Sequence, residues 1–188
     1  MQSQYTISLD AMSGDLGPDI VVEAAKRSLD RHPNLHIIFV GRRDEINDLV
    51  IRVVGENSRV SIHDAIEVIK MSDSPVDAVR NKKKSSMRIA IDNVKSKEAD
   101  ACVSAGNTGA LMAIAKFVLK MLPGIDRPAI IGELPAKGRT VHMLDLGANI
   151  MNDPDQLFQF ALMGSIVAGD ICDIQNPKVA TRIDWTDR

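Results

Sequence analysis

The sequence predicts an α/β fold in which a mostly parallel sheet is covered by helices on both faces. Short β-rich runs alternate along the chain with segments of helical periodicity, an order typical of strand–helix–strand units. Proline at a first helical position and a capping box mark the starts of several helical segments. At 188 residues, the chain is long enough for one well-buried core.

Each predicted strand is short and rich in aliphatic or β-branched residues. The strands are Tyr5–Leu9, Leu35–Val40, Arg59–Ile62, Asp100–Val103, Ala129–Leu134 and Thr140–Leu144. The predicted helices are Pro18–Asp30, Arg43–Val54, Ser86–Lys97, Thr108–Leu122 and Pro154–Ala168. Ligands gather at the carboxyl ends of parallel strands, so loops that follow strands are the candidate sites.

Composition excludes several classes of protein. A formal net charge of −2 lacks the positive excess of a nucleic-acid-binding protein. The cysteines Cys102 and Cys172 lie far apart in the sequence, so neither a disulfide scaffold nor a zinc site is expected, and Cys102 is interpreted as an inert strand residue. Without a secretory signal or a long apolar run, we expect a soluble cytoplasmic protein.

The loop after the predicted strand Asp100–Val103 carries the clearest sign of a binding site. Its candidate residues are Ser104, Gly106, Asn107 and Thr108. We expect Gly106 and Gly109 to adopt positive φ and to approach a ligand, beside the free N–H groups of a helix start. Such groups suit phosphate or carboxylate. The alternative is a strand-to-helix turn that uses glycine for its geometry alone.

Two further loops follow predicted strands and carry carboxylates near glycine. The candidates are Asp10, Gly14 and Asp15 after the first strand, and Asp145, Gly147 and Asn149 after the last. Turn formation and helix capping are the alternative role of the first loop. Because all of these loops follow strands, we expect them to contribute to one site.

Positive charge and hydroxyl groups come together at residues 81–88, before a predicted helix. Lys82, Ser85 and Ser86 are candidate anion ligands, and the lysines also suit an acidic protein partner. A solvated lysine run is the alternative. His63 closes a predicted strand and is the candidate histidine, with a hydrogen-bonded turn residue as its alternative.

Two helices are unusually apolar, over Ala110–Leu122 and Leu157–Ala168. A helix without a broad polar face is expected to be buried. Part of these faces belongs to the core on this interpretation, and two such helices in a short chain also predict a homodimer interface.

Five segments carry a resemblance to a known family. They are Leu9–Asp15, Lys82–Met87, Ala99–Ala113, Leu122–Pro128 and Leu144–Asn149. In this order they closely resemble signatures of the PlsX family, the acyl-acyl-carrier-protein:phosphate acyltransferases of bacterial phospholipid synthesis. His63 also has its place in that pattern. The resemblance covers about residues 5–179, and Ser13 stands where the family usually has glycine.

The resemblance implies a three-layer Rossmann-like α/β sandwich of the isocitrate/isopropylmalate-dehydrogenase type, shared with phosphotransacetylases and usually dimeric. It also implies that inorganic phosphate attacks the thioester of an acyl chain on acyl carrier protein and gives an acyl phosphate. No metal or redox cofactor is implied. The family associates peripherally with the inner face of the membrane, through helices that have no match here.

The sequence departs from the family pattern after Asn176–Val179, where it reads Ala180–Arg188 and stops. We therefore expect an incomplete α/β domain over residues 1–179 and a divergent polar tail over 180–188. The family's catalytic lysine and asparagine have no matching positions, so no catalytic residue is assigned. An inert phosphate-binding or dimerisation module is the alternative to an acyltransferase. A decarboxylating dehydrogenase is disfavoured because the sequence lacks the required arginine cluster.

Overall fold

The chain folds into two compact units, Met1–Lys120 and Met121–Arg188, in a computed structural model that describes residues 3–147, 149 and 151–181. The first unit contains β1 (Tyr5–Asp10), α1 (Gly17–Arg31), β2 (Leu35–Gly41), α2 (Arg43–Val54), β3 (Val60–Asp64), α3 (Pro75–Asn81), α4 (Ser86–Lys95), β4 (Ala101–Val103) and α5 (Thr108–Leu119). The second contains β5 (Ile131–Ala136), β6 (Arg139–Leu144), α6 (Pro154–Ile166) and a π-helical turn over Val167–Ile171. Most of the predicted tail, from residue 182 on, lies outside the described residues.

The expected parallel sheet is confirmed in the first unit, with the strand order β3-β2-β1-β4. Asp10 pairs with Val40, and Val40 pairs in turn with His63. Residues that pair across neighbouring parallel strands point to the same face of the sheet. Asp10 and His63 therefore lie in one row at the carboxyl edge, on one face.

Helices cover both faces of this sheet because β2 alternates between two apolar cores. On one face Phe39 packs with α1 and α2, and on the other Val40 packs with Ala90 of α4. A third cluster joins α3, α4 and α5 through Ala78, Met87 and Ile114. Burying these faces drives formation of the first unit, at roughly 25 cal/mol per Å² of apolar surface.

The last two strands form a two-stranded sheet of their own. β5 and β6 pair antiparallel, from Ile131 opposite Leu144 to Ala136 opposite Arg139. Only Lys137 and Gly138 separate them, whereas a parallel crossover needs about a dozen residues. Gly138 has a φ of 72°, which suits a tight turn.

Helix starts follow the sequence signals closely, and helix ends do so less well. The predicted capping box of α6 is present between Asp153 and Gln156, and Ser74 caps α3 through the N–H of Asp77. α5 ends at Leu119, because Lys120 adopts a φ of 71°.

The apolar helices are less buried than expected. Phe158 of α6 is 70% exposed, and Phe117 of α5 is 53% exposed. Among the described residues, no helix combines the length and apolar character needed to cross a bilayer.

Candidate anion site at the carboxyl edge of the sheet

The loops after β1 and β4 are joined by a hydrogen bond between side chains. Ser104 Oγ donates to Asp10 Oδ2 over 2.7 Å, and Asp10 Oδ1 accepts from the Met12 N–H over 3.3 Å. Asp10 is only 1% exposed, so these donors replace the water that its carboxylate would otherwise bind. Ser104 also accepts from the Gly106 N–H over 3.2 Å, which shapes the start of the second loop.

Glycine at position 106 is required for close packing, and the expectation of positive φ at Gly106 and Gly109 is wrong. Gly14 and Gly17 of the first loop have positive φ, whereas Gly106 and Gly109 do not. A Cβ at Gly106 would lie 2.7 Å from Ser13 Cβ, and one at Gly109 would lie 3.0 Å from Pro75 Cγ. Small residues are needed here because neighbouring side chains approach the backbone.

Asn107 is held by the protein on both ends of its amide. Its Oδ1 accepts from the Ala110 N–H over 3.0 Å and caps α5. Its Nδ2 donates to the carbonyl groups of Met71 and Asp73 over 3.0 and 2.9 Å. The Asn107 side chain therefore fixes the loop, and the anion-binding capacity of the helix start lies in the backbone.

The first N–H groups of α5 remain as donors. Thr108 and Gly109 are both exposed, and among the described residues no partner accepts from their N–H groups. The positive end of the helix dipole coincides with these groups and with the Thr108 hydroxyl. This arrangement suits a small anion such as phosphate.

Two buried hydroxyl groups border the same loops. Ser13 Oγ and Ser86 Oγ have no hydrogen-bond partner within the described part of the chain, although Ser13 is 3% exposed and Ser86 is 0% exposed. Ser85, in contrast, caps α4: its Oγ accepts from the Arg88 N–H and donates to the Lys82 carbonyl. The Ser86 N–H donates to the Glu67 carbonyl, which reduces the donors that α4 offers to an anion.

Lys82 forms an ion pair within the protein. Its Nζ lies 2.6 Å from Asp73 Oδ2 and donates to the Val68 carbonyl over 2.9 Å. The hydrogen bond from Lys82 holds the pKa of Asp73 below its ordinary value, and the Lys70 N–H lowers it further. Lys83 and Lys84 are exposed, so they are the lysines of this run that present charge to solvent.

His63 lies on the same face as Asp10 and is tied to α4. Its Nδ1 is 3.2 Å from Asn93 Oδ1, and Asn93 Nδ2 donates to Ser8 Oγ over 3.0 Å. An amide oxygen only accepts, so this contact requires a proton on Nδ1, and in the neutral ring Nε2 is then an acceptor. Two strand spacings put His63 about 10 Å from Asp10 along the row.

Asp15 and Cys102 complete the first unit's candidates. Asp15 is exposed in the loop that leads to α1. Burial raises the pKa of the Cys102 thiol, and the negative charge of Asp10 adds to this effect. A thiol with a raised pKa is protonated at neutral pH and is a poor nucleophile.

The loop after β6 belongs to the second unit and is organised by Asp145. Asp145 Oδ1 accepts from the Ile130 N–H over 2.9 Å, and Oδ2 accepts from both the backbone and the side-chain amide of Asn149. Asn149 also donates to the Pro128 carbonyl. Gly147 is exposed and has a φ of 84°, so it supplies the turn between these two residues.

Sequence reasoning therefore identified the loops but missed the residues that fix them. Asp73 and Asn93 were not among the candidates, yet one pairs with Lys82 and the other joins His63 to Ser8. Asn93 carried a signal, since it is a polar residue on the buried face of α4. Asp73 carried none, because Lys82 and Asn107, the two candidates that it contacts, lie 9 and 34 residues away.

The sequence model of the family described as "Fatty acid synthesis protein" matches residues 5–182. The chain belongs to this family. The resemblance to the PlsX phosphate acyltransferases is thereby confirmed over nearly all of the chain.

Curated relatives of the fatty acid synthesis protein family agree closely in sequence. A phosphate acyltransferase of Nitrosococcus oceani is 55% identical over 175 residues, which cover 93% of this chain and 52% of the relative. One of Halorhodospira halophila is 49% identical over 180 residues, which cover 95% of this chain and 52% of the relative. The chain thus spans about half the length of the curated relatives it matches.

Solved structures of phosphotransacetylases share the fold. The EutD phosphotransacetylase from Staphylococcus aureus gives a TM-score of 0.62 at 17% identity and covers 88% of this chain and 53% of its own. A phosphotransacetylase from Streptococcus pyogenes gives 0.64 at 20% identity, with 91% and 55% covered. The expected fold relationship to phosphotransacetylases is confirmed.

Proposed function

We propose that this chain supplies the phosphate-binding part of an enzyme that forms acyl phosphate from acyl-acyl carrier protein and inorganic phosphate. The observation that carries the proposal is the start of α5, where exposed Thr108 and Gly109, whose N–H groups have no acceptor among the described residues, follow a loop fixed by Asn107. Membership of the fatty acid synthesis family and relatives named phosphate acyltransferase support it. The finer isocitrate/isopropylmalate-dehydrogenase type of the fold is part of the same proposal.

In the proposed reaction, a phosphate oxygen attacks the thioester carbonyl, the carbon–sulfur bond breaks, and the carrier thiol leaves. The Thr108 and Gly109 N–H groups, with the Thr108 hydroxyl, hold the phosphate and orient its attacking oxygen. Asp10 acts as a positioning residue, because its hydrogen bond to Ser104 fixes the loop that leads to these donors. Ser13 and Ser86 offer hydroxyl groups without other partners among the described residues.

The remaining candidates are proposed for each unit separately. Gly14 and Asp15 border the first loop, and the Nε2 atom of His63 is an acceptor on the same face of the sheet. Asp145, Gly147 and Asn149 are proposed substrate-binding residues of the second unit. In the first unit, Lys82 and Ser85 act through the loop that they stabilise.

Acyl carrier protein is proposed as an acidic partner that contacts the positive charges of the exposed Lys83 and Lys84. The exposed apolar side chains of α6, including Phe158 and Ile166, suit a homodimer contact, which we propose for the whole protein. Location in the cytoplasm, with peripheral attachment to the membrane, belongs to the same proposal.

The test measures acyl phosphate formation by a chimera at increasing phosphate concentrations. Because the chain spans about half of its relatives, it is fused to the remaining half of the Nitrosococcus oceani relative. Acyl phosphate is trapped with hydroxylamine from a reaction containing acyl-acyl carrier protein and phosphate. We expect hydroxamate that increases with phosphate concentration. A folded chimera without phosphate-dependent product, beside an active unaltered relative, would contradict the proposal.

A further inference from the structure

Glu133 and His142 form a cross-strand pair in the second unit, outside the proposed phosphate site. They are directly opposite each other in the antiparallel register of β5 and β6, so both side chains lie on one face of the hairpin. Glu133 Oε1 and His142 Nδ1 are 3.9 Å apart. The His142 side chain is 9% exposed while that of Glu133 is 68% exposed, so the pair reaches from the interior to the surface.

Cys172 joins this pair from the other end of the unit. It follows the π-helical turn Val167–Ile171, and its N–H donates to the Val167 carbonyl over 3.2 Å. Cys172 is a free, half-buried cysteine. Its sulfur, a Glu133 carboxylate oxygen and a His142 ring nitrogen all lie within 4.8 Å of one another.

The three donor atoms fit a tetrahedral zinc ion after a small contraction. Zinc bonds of about 2.0–2.3 Å place tetrahedral ligands about 3.3–3.8 Å apart. The Glu133–His142 distance of 3.9 Å is close to this range, so the thiolate has about 1 Å to move. Carboxylate, imidazole and thiolate are all zinc ligands, and a carboxylate with a thiolate balances the double charge of the ion.

We propose that Glu133, His142 and Cys172 form a zinc-binding site, with water as the fourth ligand. This inference is independent of the proposed acyltransferase function and departs from the sequence expectation, which considered the spacing of the cysteines alone. The spacing carried no signal because the ligands are 9 and 30 residues apart and meet only through the hairpin register and the π-helical turn. Zinc at this position fastens the π-helical turn to the hairpin.

The test uses the reduced chain, freed of metal with a chelator that is then removed. Calorimetric titration with zinc chloride measures affinity and stoichiometry, and titration with cobalt chloride reports thiolate coordination by a sulfur-to-cobalt charge-transfer band. Cys172→Ser, His142→Asn and Glu133→Gln each remove one ligand. Cys102→Ser is the matched control, because the Cys102 thiol is not one of the three clustered donors. Circular dichroism confirms that each variant remains folded.

We expect one zinc ion per chain, more than tenfold weaker binding in Cys172→Ser and His142→Asn, and no change in Cys102→Ser. Glu133→Gln removes a side chain charge at a largely exposed position, so it keeps the fold and still weakens binding. If Cys172→Ser loses the charge-transfer band and the other variants keep it, the Cys172 thiolate is identified as the sulfur ligand. No zinc uptake by the folded chain, or equal affinity in the wild type and all three ligand variants, would overturn the proposal.

Discussion

Ser104 donates a 2.7 Å hydrogen bond to the buried carboxylate of Asp10, and this bond ties together the loops after two neighbouring parallel strands. Each partner alone is an ordinary polar residue at a strand end. Together they set the path of the chain into α5, because Ser104 also accepts from the Gly106 N–H. The exposed N–H groups that follow are therefore oriented by a buried interaction.

Ser104→Ala is expected to lower the free energy of unfolding by about 1–3 kcal/mol, since it removes the donor to Oδ2 of the buried Asp10 carboxylate and leaves only the Met12 N–H on Oδ1. Urea unfolding followed by circular dichroism measures the change. Ser61→Ala is the control, because Ser61 is an exposed strand residue whose loss is expected to cost less than about 0.5 kcal/mol. Equal losses in the two variants would argue against the role of Asp10.

Gly106→Ala is expected to destabilise the protein by about 1–3 kcal/mol, because the added Cβ would lie 2.7 Å from Ser13 Cβ. Ser13→Gly removes that neighbour, so the double variant is expected to regain part of the lost stability. The same unfolding experiment on both single variants and the double variant gives the interaction energy. Additive effects would show that Ser13 is not the cause. Gly169→Ala, whose Cβ meets nothing within 4 Å, is the control.

Lys82→Met is expected to destabilise the protein at neutral pH and to have less effect in acid. The hydrogen bond from Lys82 lowers the pKa of Asp73 in the folded state below its ordinary value of 3.8. This stability is present above pH 3.8 and is lost as the pH falls through the lower, folded-state pKa. Unfolding curves of both proteins between pH 7 and pH 2 measure the difference. A constant difference over this range would contradict the ion pair.

Reversing Lys83 and Lys84 to glutamate in the chimera is expected to lower turnover of acyl-acyl carrier protein and to flatten its salt dependence. Both lysines are exposed, whereas Lys82 is paired with Asp73. Initial rates at several salt concentrations measure the effect. Lys95→Glu with Lys97→Glu changes the charge equally at other exposed positions and is expected to leave the rates unchanged. Equal effects of both pairs would exclude a localised carrier contact.

The strands and most helix starts were predictable because their signals are local: aliphatic runs, Ser74 before a proline, and the capping box at Asp153. The antiparallel pairing of β5 with β6 was also predictable from the sequence, because a two-residue loop that includes Gly138 is typical of a β-hairpin. The prediction of a mostly parallel sheet holds for the first unit, and it assigned no pairing to these last two strands.

The roles of individual site residues depended on contacts distant in sequence. Asn107 was predicted as a ligand, and the structure uses its amide to bind carbonyl groups 34–37 residues away. Asn107→Ala would remove both the helix cap and these bonds, so a loss of phosphate affinity in that variant would not separate binding from folding. Position 108 allows a cleaner test.

Thr108 is the first residue of α5, a position that accepts proline without loss of the helix. Asn107 before it has a φ of −59° and a ψ of 109°, which a following proline permits. Thr108→Pro therefore removes one N–H donor and the hydroxyl group while it preserves the Asn107 cap. It is the matched variant for the phosphate site.

The most direct test of the account is a phosphate titration of the chain followed by amide NMR, with sodium chloride at equal ionic strength as the control. We predict saturable shifts of the Gly106, Thr108 and Gly109 amide signals in the wild type. In folded Thr108→Pro, which lacks both the N–H and the hydroxyl donor, we predict binding at least about tenfold weaker, since each hydrogen bond to a charged group contributes about 1.5–3 kcal/mol. Shifts confined to residues outside these loops, or the same affinity in both proteins, would contradict the account.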